Sequence, residues 1–344
     1  MKAITFSRYG PPDVLEVSDI AKPVAERGEV LVRVRAACVN RYDWHLLGGV
    51  PYIGRLRTGL LGPKVRRLGS DLAGVVEQVG AEVEGVGVGD EVFGQVNGEV
   101  PGQPLLELGS FAEYVAVSAE TVVPKPSNLT LEQAAAAPMA GRTALQALQD
   151  AGRLQPGQRV LINGASGGVG TFAVQIAKAF GAEVTAVCSA GSADLVRSLG
   201  ADHVIDYAST DFTAGSERYD LIFDLAGSQS VGRCRKILTP TGIYVASTSE
   251  LRVLLRAGLT SMVARGQVAV FAAKESQADL EALRELIERG AVTPVIDGRY
   301  TLAQTPDAFR EQAAGHARGR KVVTVVTANS AAPAEAVQTA ASTT

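Results

Sequence analysis

The stretch Gln158–Lys178, QRVLINGASGGVGTFAVQIAK, restricts what this chain can fold into more than any other. Val160, Leu161 and Ile162 form a short apolar run that suits a strand buried on both faces. Four glycines follow within seven positions, Gly164, Gly167, Gly168 and Gly170. After them Phe172, Ala173, Ile176 and Ala177 recur on one side of a helix. A strand, a glycine turn and a helix in that order make a cradle for a phosphate. Backbone without Cβ atoms lies close to the anion, and the N–H groups that open the helix attract it. Read as A-x-G-x-x-G, the turn has Ala165 where the first glycine of the dinucleotide fingerprint stands, with Gly167 and Gly170 in the other two places. The candidate cofactor-binding residues of the turn are Ala165, Ser166, Gly167, Gly168, Val169 and Gly170.

The same stretch resembles the signature of the quinone oxidoreductase and ζ-crystallin branch of the medium-chain dehydrogenase/reductase superfamily, including Gln175 and Lys178 at their expected distances past the glycines. The resemblance runs from about Met1 to Val326. It implies an α/β fold: a doubly wound Rossmann domain with a six-stranded parallel sheet, inserted into a GroES-like, partly open β-barrel domain.

The residues agree with that organisation. Over 1–127 the chain is β-rich: Glu29–Ala36 and Phe111–Val117 alternate with period two, and Gly69–Asp90 holds six glycines, which implies tight turns between strands. From about Thr130 the period changes. Leu131–Leu148 is Ala-rich and helical apart from a break at Pro138, and strands then alternate with helices through residue 273. The predicted strands are Gln158–Asn163, Glu183–Cys188, His203–Asp206, Leu221–Leu225, Gly242–Ser247 and Gln267–Ala272. An amphipathic helix is expected at Gln277–Arg289. The segment 274–326 ends in strands like those of the first domain, and the family resumes its first domain after the nucleotide-binding insert, so the chain is expected to cross between domains twice. Residues 327–344, Ala, Ser and Thr without periodicity, read as a disordered tail.

Composition narrows the partners. A chain of 344 residues with net charge −3 has apolar sequence enough for two cores and no global attraction for nucleic acid or an anionic membrane. The basic run Arg55, Arg57, Lys64, Arg66 and Arg67 reads as a solvated loop that could also draw an anionic cofactor or substrate. No apolar stretch is long enough to span a bilayer, and MKAITFSRYG reads as a strand and not as an export signal. Cys38, Cys188 and Cys234 are scattered with no CxxC spacing, which fits a reducing compartment and excludes a Cys-based zinc lobe. A cytoplasmic protein is expected, with no membrane and no nucleic-acid partner. The family resemblance adds a homodimer.

In Rossmann domains that prefer NAD, an acidic side chain ends the second strand and accepts the ribose 2′-hydroxyl. Here that strand runs into Ser189, Ala190, Gly191 and Ser192, with no Asp or Glu. Resemblance to NADPH-dependent members implies a tyrosine near the 2′-phosphate after the third strand, where Tyr207 stands. It also implies a basic residue where this chain has Ser192, so the expected preference for NADPH is moderate. Arg197, a turn further on, is a candidate substitute or an exposed helix arginine. Thr143 reads as opening a helix beside the nicotinamide, or as bonding its own helix backbone. Ala226, Gly227, Ser247 and Thr248 fall at the carboxyl ends of the fourth and fifth strands, where open α/β sheets hold ligands.

The zinc alcohol dehydrogenases of the superfamily bind a metal through a Cys, a His-Glu pair and a further ligand. Asn40 takes the first position here, Gly69-Ser70-Asp71 the second, and no cysteine lies between Phe93 and Gly109. No metal site is expected. The zinc-free relatives pass hydride from NADPH to a carbon conjugated with a carbonyl, while a hydrogen-bond donor meets the charge on the oxygen. Tyr52 matches by position the tyrosine proposed as catalytic in ζ-crystallin-like proteins. Asn40 is a candidate amide donor and Asp43 a candidate orienting carboxylate, with Trp44 an apolar wall or a core residue. The expected activity is an NADPH-dependent, zinc-independent reduction of quinones or enones. The alternatives are a carbonyl/alcohol dehydrogenase, or a protein that binds NADPH with little turnover. The stretch Glu250–Arg265 is read as a cleft wall or a dimer face.

Overall fold

The computed structural model describes residues 1–96, 109–246, 268–315 and 317–325. Its first sheet joins β1 (Lys2–Thr5) to β2 (Glu16–Asp19) in an antiparallel pair. Seven strands build the second: β3 (Glu29–Cys38), β4 (Asp71–Val79), β5 (Glu91–Gln95), β6 (Tyr114–Ser118), β7 (Val122–Pro124) and two strands from the far end of the chain. The long strand β3 is the hub. It pairs antiparallel with β4 and β6, and its register with β4 shifts at Leu31/Val32 and again at Val34/Ala36, irregularities that bend and twist a strand and help a sheet curl. Strand β6 begins three residues later than the alternation from Phe111 predicts. Phe111 and Ala112 are instead engaged by the N-terminal strand, through the bond from Ile4 N–H to Phe111 O and the bridge Ala3–Ala112.

The parallel sheet contains β8 (Arg159–Asn163), β9 (Glu183–Cys188), β10 (His203–Asp206), β11 (Tyr219–Asp224), β12 (Leu238–Ala246) and β13 (Val268–Val270). Their order is β10-β9-β8-β11-β12-β13, so the direction of winding reverses between β8 and β11. Strands β9 and β10 have the predicted bounds. Strand β12 starts four residues before the predicted Gly242, at Leu238, because Leu238 pairs with Tyr219 across a register shift in β11. The predicted helix broken at Pro138 is two helices, Leu131–Ala135 and Pro138–Gln146, the first closed by a capping box between Thr130 and Gln133.

Strands β14 (Ile296–Thr301) and β15 (Arg320–Thr324) return to the seven-stranded sheet, where β15 lies antiparallel to β3 with Val322 opposite Cys38. The helix between them, Thr305–Ala313, sets Phe309 edge-on to Phe111 at 5.9 Å between ring centroids. Both ends of the chain therefore contribute to one barrel-like core, while a larger apolar cluster runs from Ala36, Ala73 and Phe93 of the barrel strands through the helix Pro138–Gln146 into the parallel sheet. No helix among the described residues is long and apolar enough to cross a membrane.

Candidate functional site: a dinucleotide cleft and a filled metal position

The glycine turn lies between β8 and the helix Gly170–Ala179. The N–H groups of Gly164 and Ala165 both donate to Val187 O at 3.1 Å, which seats the turn on β9, and Gly167 N–H closes it onto Gly164 O. A Cβ on Gly170 would sit 2.2 Å from Gly164 O, so this glycine allows the helix to approach the strand. Ser166 to Val169 are only half-buried, and the N–H groups of Ser166, Gly168 and Val169 donate to no described residue. Gly168 faces Arg320, whose Cδ and Nη1 would stand 3.1 Å from a Cβ at that position. Open N–H groups at a helix N-terminus, with a guanidinium beside them, fit the pyrophosphate of a dinucleotide.

At the end of β9, Ser189 Oγ and Ser192 Oγ are 3.3 Å apart, and Tyr207 N–H donates to Cys188 O. Tyr207 also lines a pocket of about 340 Å³ whose walls are the segment 207–212 on one side and Ser228 and Gln229 on the other. The turn, Ser189, Ser192 and Tyr207 are thus gathered at one edge of the sheet. Arg197 pairs with Asp194 on an exposed helix face. Ala226 and Gly227 are exposed at the end of β11, Gly227 with φ +63° and open space where a Cβ would go. Ser247, Thr248 and the stretch Glu250–Arg265 lie outside the described residues.

Between the two sheets the positions of the zinc ligands hold a buried polar cluster. Arg320 Nη2 donates to Asn40 Oδ1 at 2.7 Å and to Asp71 Oδ2 at 2.9 Å, and its Nε donates to Ala136 O. Asp71 Oδ1 accepts from Met139 N–H, and Ser70 Oγ donates to Asp43 Oδ1 at 2.9 Å. Cys38 donates its thiol proton to Lys321 O, and burial pushes that thiol up to about 12. Zinc requires three thiolate, imidazole or carboxylate ligands free to converge. Here an amide, a hydroxyl and a guanidinium-bound carboxylate stand in those places, and the described residues contain no group of three His, Cys, Asp or Glu that could hold a metal ion. The residues do not fit zinc.

The same geometry corrects the reading of Asn40. Its two amide hydrogens go to Cys38 O at 3.2 Å and Asp71 Oδ2 at 3.1 Å, so the side chain is a structural link and not a free donor. Asp43 orients its neighbours: it accepts from Asn40 N–H, Gly69 N–H and the Ser70 hydroxyl, and burial raises its carboxyl to about 7. Thr143 does not open a helix. It sits in the middle of Pro138–Gln146 and donates to Met139 O at 2.6 Å, the self-satisfying alternative. Tyr52 lies on a short turn, 72% exposed, with the Arg55 guanidinium 4.8 Å from its ring. Trp44 packs on the barrel core. The sequence reading missed Arg320 as a site residue; the available signal was an arginine opening the apolar run RKVVTVV.

The model of the alcohol dehydrogenase GroES-like domain matches residues 26–127, and that of the zinc-binding dehydrogenases matches residues 199–323. The 2-methylene-furan-3-one reductase of Solanum lycopersicum is 34% identical, across 94% of this chain and 79% of that protein. The mitochondrial NAD(P)H oxidoreductase RTN4IP1 of Bos taurus is 34% identical, across 95% of this chain and 89% of that protein. Among solved structures, the quinone oxidoreductase of Coxiella burnetii superposes with a TM-score of 0.82 at 32% identity, covering 95% of this chain and 99% of that one. With a dinucleotide cleft at the switch point of its parallel sheet and relatives of this identity along nearly its whole length, the chain belongs to the quinone oxidoreductase branch of the medium-chain dehydrogenase/reductase superfamily and is an NAD(P)H-dependent oxidoreductase.

Proposed function

We propose that this protein reduces a quinone or an α,β-unsaturated carbonyl with NADPH and without a metal. The observation that carries the reading is the pair of bonds from Arg320 Nη2 to Asn40 and Asp71, which engages the side chains standing where a Lewis acid would be held. An acceptor reduced there must have a carbon electrophilic enough to take hydride unaided, as quinones and enones do and simple ketones do not. When bound, NADPH supplies that hydride. The chain's part is to hold the dinucleotide on the glycine turn, to accept a 2′-phosphate beside Ser189, Ser192 and Tyr207 where no carboxylate repels it, and to keep Tyr52 on the loop as a phenol able to return a proton. A homodimer accompanies this reading by family resemblance, and a cytoplasmic location is supported by three buried free thiols.

A protein that binds NADPH with little turnover is the second reading, favoured by the exposed Tyr52 and the engaged Asn40 amide, neither of which is then a donor fixed in advance. One assay separates them: NADPH oxidation by a panel of quinones, enones and ketones, with NADP+ reduction by alcohols measured alongside, before and after chelation. Turnover confined to quinones or enones and unchanged by chelator supports the proposal. Turnover of alcohols that disappears with a tightly held zinc overturns it, and binding without turnover of any acceptor selects the second reading.

A further inference from the structure

Asp224 ends β11 at the carboxyl edge of the parallel sheet and is 2% exposed. Its Oδ1 accepts from Asn163 Nδ2 at 2.8 Å, from Gly227 N–H at 2.8 Å and from Ala226 N–H at 3.2 Å. Its Oδ2 accepts from the Tyr244 hydroxyl at 2.7 Å. These partners come from the ends of β8, β11 and β12, three neighbours at the point where the winding reverses. Asn163 extends the network: Nδ2 also donates to Ser228 Oγ at 3.0 Å, and its carbonyl accepts from Leu225 N–H.

Among the described residues, the network therefore bears on the segment Leu225–Gln229. It folds the chain back over the strand end through a left-handed residue, Gly227, and leaves Ala226, Gly227 and Ser228 exposed toward solvent. Ser228 and Gln229 then stand opposite Tyr207 as the second wall of the pocket. An ion pair between Arg233 and Asp211 ties the two walls together, and Arg233 Nη1 also donates to Gln229 Oε1. A buried carboxylate with every oxygen engaged is weak evidence for stability as such. Here two of the four donors are the backbone N–H groups of Ala226 and Gly227, and a third, Asn163, also bonds Ser228 of the pocket wall, so the carboxylate holds that segment in shape.

We propose that Asp224 is a positioning residue for the cofactor, setting the segment Leu225–Gln229 against the dinucleotide through its own backbone N–H bonds and through Asn163. The proposal rests on a dinucleotide occupying this cleft and is independent of which acceptor is reduced. The test uses the full chain with Asp224→Asn and Tyr244→Phe, titrated with NADPH and separately with 2′,5′-ADP in the absence of acceptor, alongside thermal melting and steady-state kinetics. Asp224→Asn is expected to raise the NADPH Kd about tenfold, and Tyr244→Phe, which removes one of four bonds, about threefold, with the acceptor KM unchanged in both. Weakened 2′,5′-ADP binding places the effect at the pocket wall, and unchanged 2′,5′-ADP with weakened NADPH places it at Ala226 and Gly227; either supports the proposal. Variants that melt at lower temperature yet bind NADPH as the parent does overturn it, because a purely structural carboxylate gives that pattern. If Asp224→Asn does not fold, Tyr244→Phe decides by the same criterion. A parent that binds NADPH but reduces neither quinones nor enones removes the proposed acceptor class and leaves this inference standing.

Discussion

Arg320 and Asp71, 249 residues apart in the chain, form a buried ion pair at 2.9 Å, with side chains 6% and 0% exposed. Each belongs to a different strand of the barrel sheet, and the pair reaches both the helical segment 131–146, through Ala136 and Met139, and the glycine turn, through Gly168. Among the described residues, the last strand, β15, thereby lies against the cofactor cleft.

Breaking that pair from one side leaves a buried charge without compensation. Arg320→Met is expected to destabilise the protein by roughly 3–5 kcal/mol, read as a lowered urea midpoint, because Asp71 keeps its desolvation penalty and loses its partner. Arg320→Met combined with Asp71→Leu should recover part of that loss. A double variant less stable than the sum of the two single variants would show that the pair contributes through something other than charge compensation.

Asp43 gives a pH dependence of definite sign. Burial raises its carboxyl from the ordinary 3.8 to about 7, so over that range the folded protein holds a proton that the unfolded chain has released. The contribution to stability is complete below pH 3.8 and is lost as pH rises through about 7. Relative to Asp43→Asn, which stays neutral throughout, the parent should therefore lose stability between pH 4 and 8. Unfolding curves for both proteins across that range measure it, and parallel profiles would place the Asp43 carboxyl near its ordinary value.

Cofactor preference follows from the end of β9. NADPH is expected to bind more tightly than NADH by on the order of tenfold or less, since Ser189, Ser192 and Tyr207 offer a 2′-phosphate hydroxyl groups and no cation. Ser189→Asp should reverse the order by repelling the phosphate and accepting a bond from the free 2′-hydroxyl. Fluorescence titration of both cofactors against both proteins checks it, and equal affinities in the parent would break the link from strand end to selectivity.

Tyr52 is exposed, so its phenol is not a donor fixed before the reaction begins. Removing a preorganised donor typically lowers turnover by about two to three orders of magnitude. For Tyr52→Phe the structure points to a smaller loss, within about tenfold, with NADPH affinity unchanged because the cofactor is held by the glycine turn. A loss of a hundredfold or more at saturating acceptor would mean that the loop closes and brings the phenol onto the reacting oxygen.

The local sequence alone determined what local physics decides. The run Val160–Ile162, the glycines after it and the helix that follows specify a strand, turn and helix whatever surrounds them, because a buried strand, a turn without Cβ atoms and an apolar helix face are each encoded within a few residues. Strands β9 and β10 were legible to the residue for the same reason. The absent carboxylate after β9 and the absent cysteine and histidine at the metal positions were equally plain, since a missing functional group needs no geometry.

Only the tertiary structure decided what those positions do instead. Asn40 reads as a donor in the sequence, and it becomes a structural link because β15 brings Arg320 and β4 brings Asp71 to either side of it. Asp224 sits in the apolar run Leu221–Leu225 as an unexplained charge until β8 and β12 deliver Asn163 and Tyr244 to it. Whether a polar side chain is free or engaged depends on partners that sequence separation hides and strand pairing supplies, so the roles of Asn40, Asp71, Asp224 and Arg320 become visible only once the sheets are assembled.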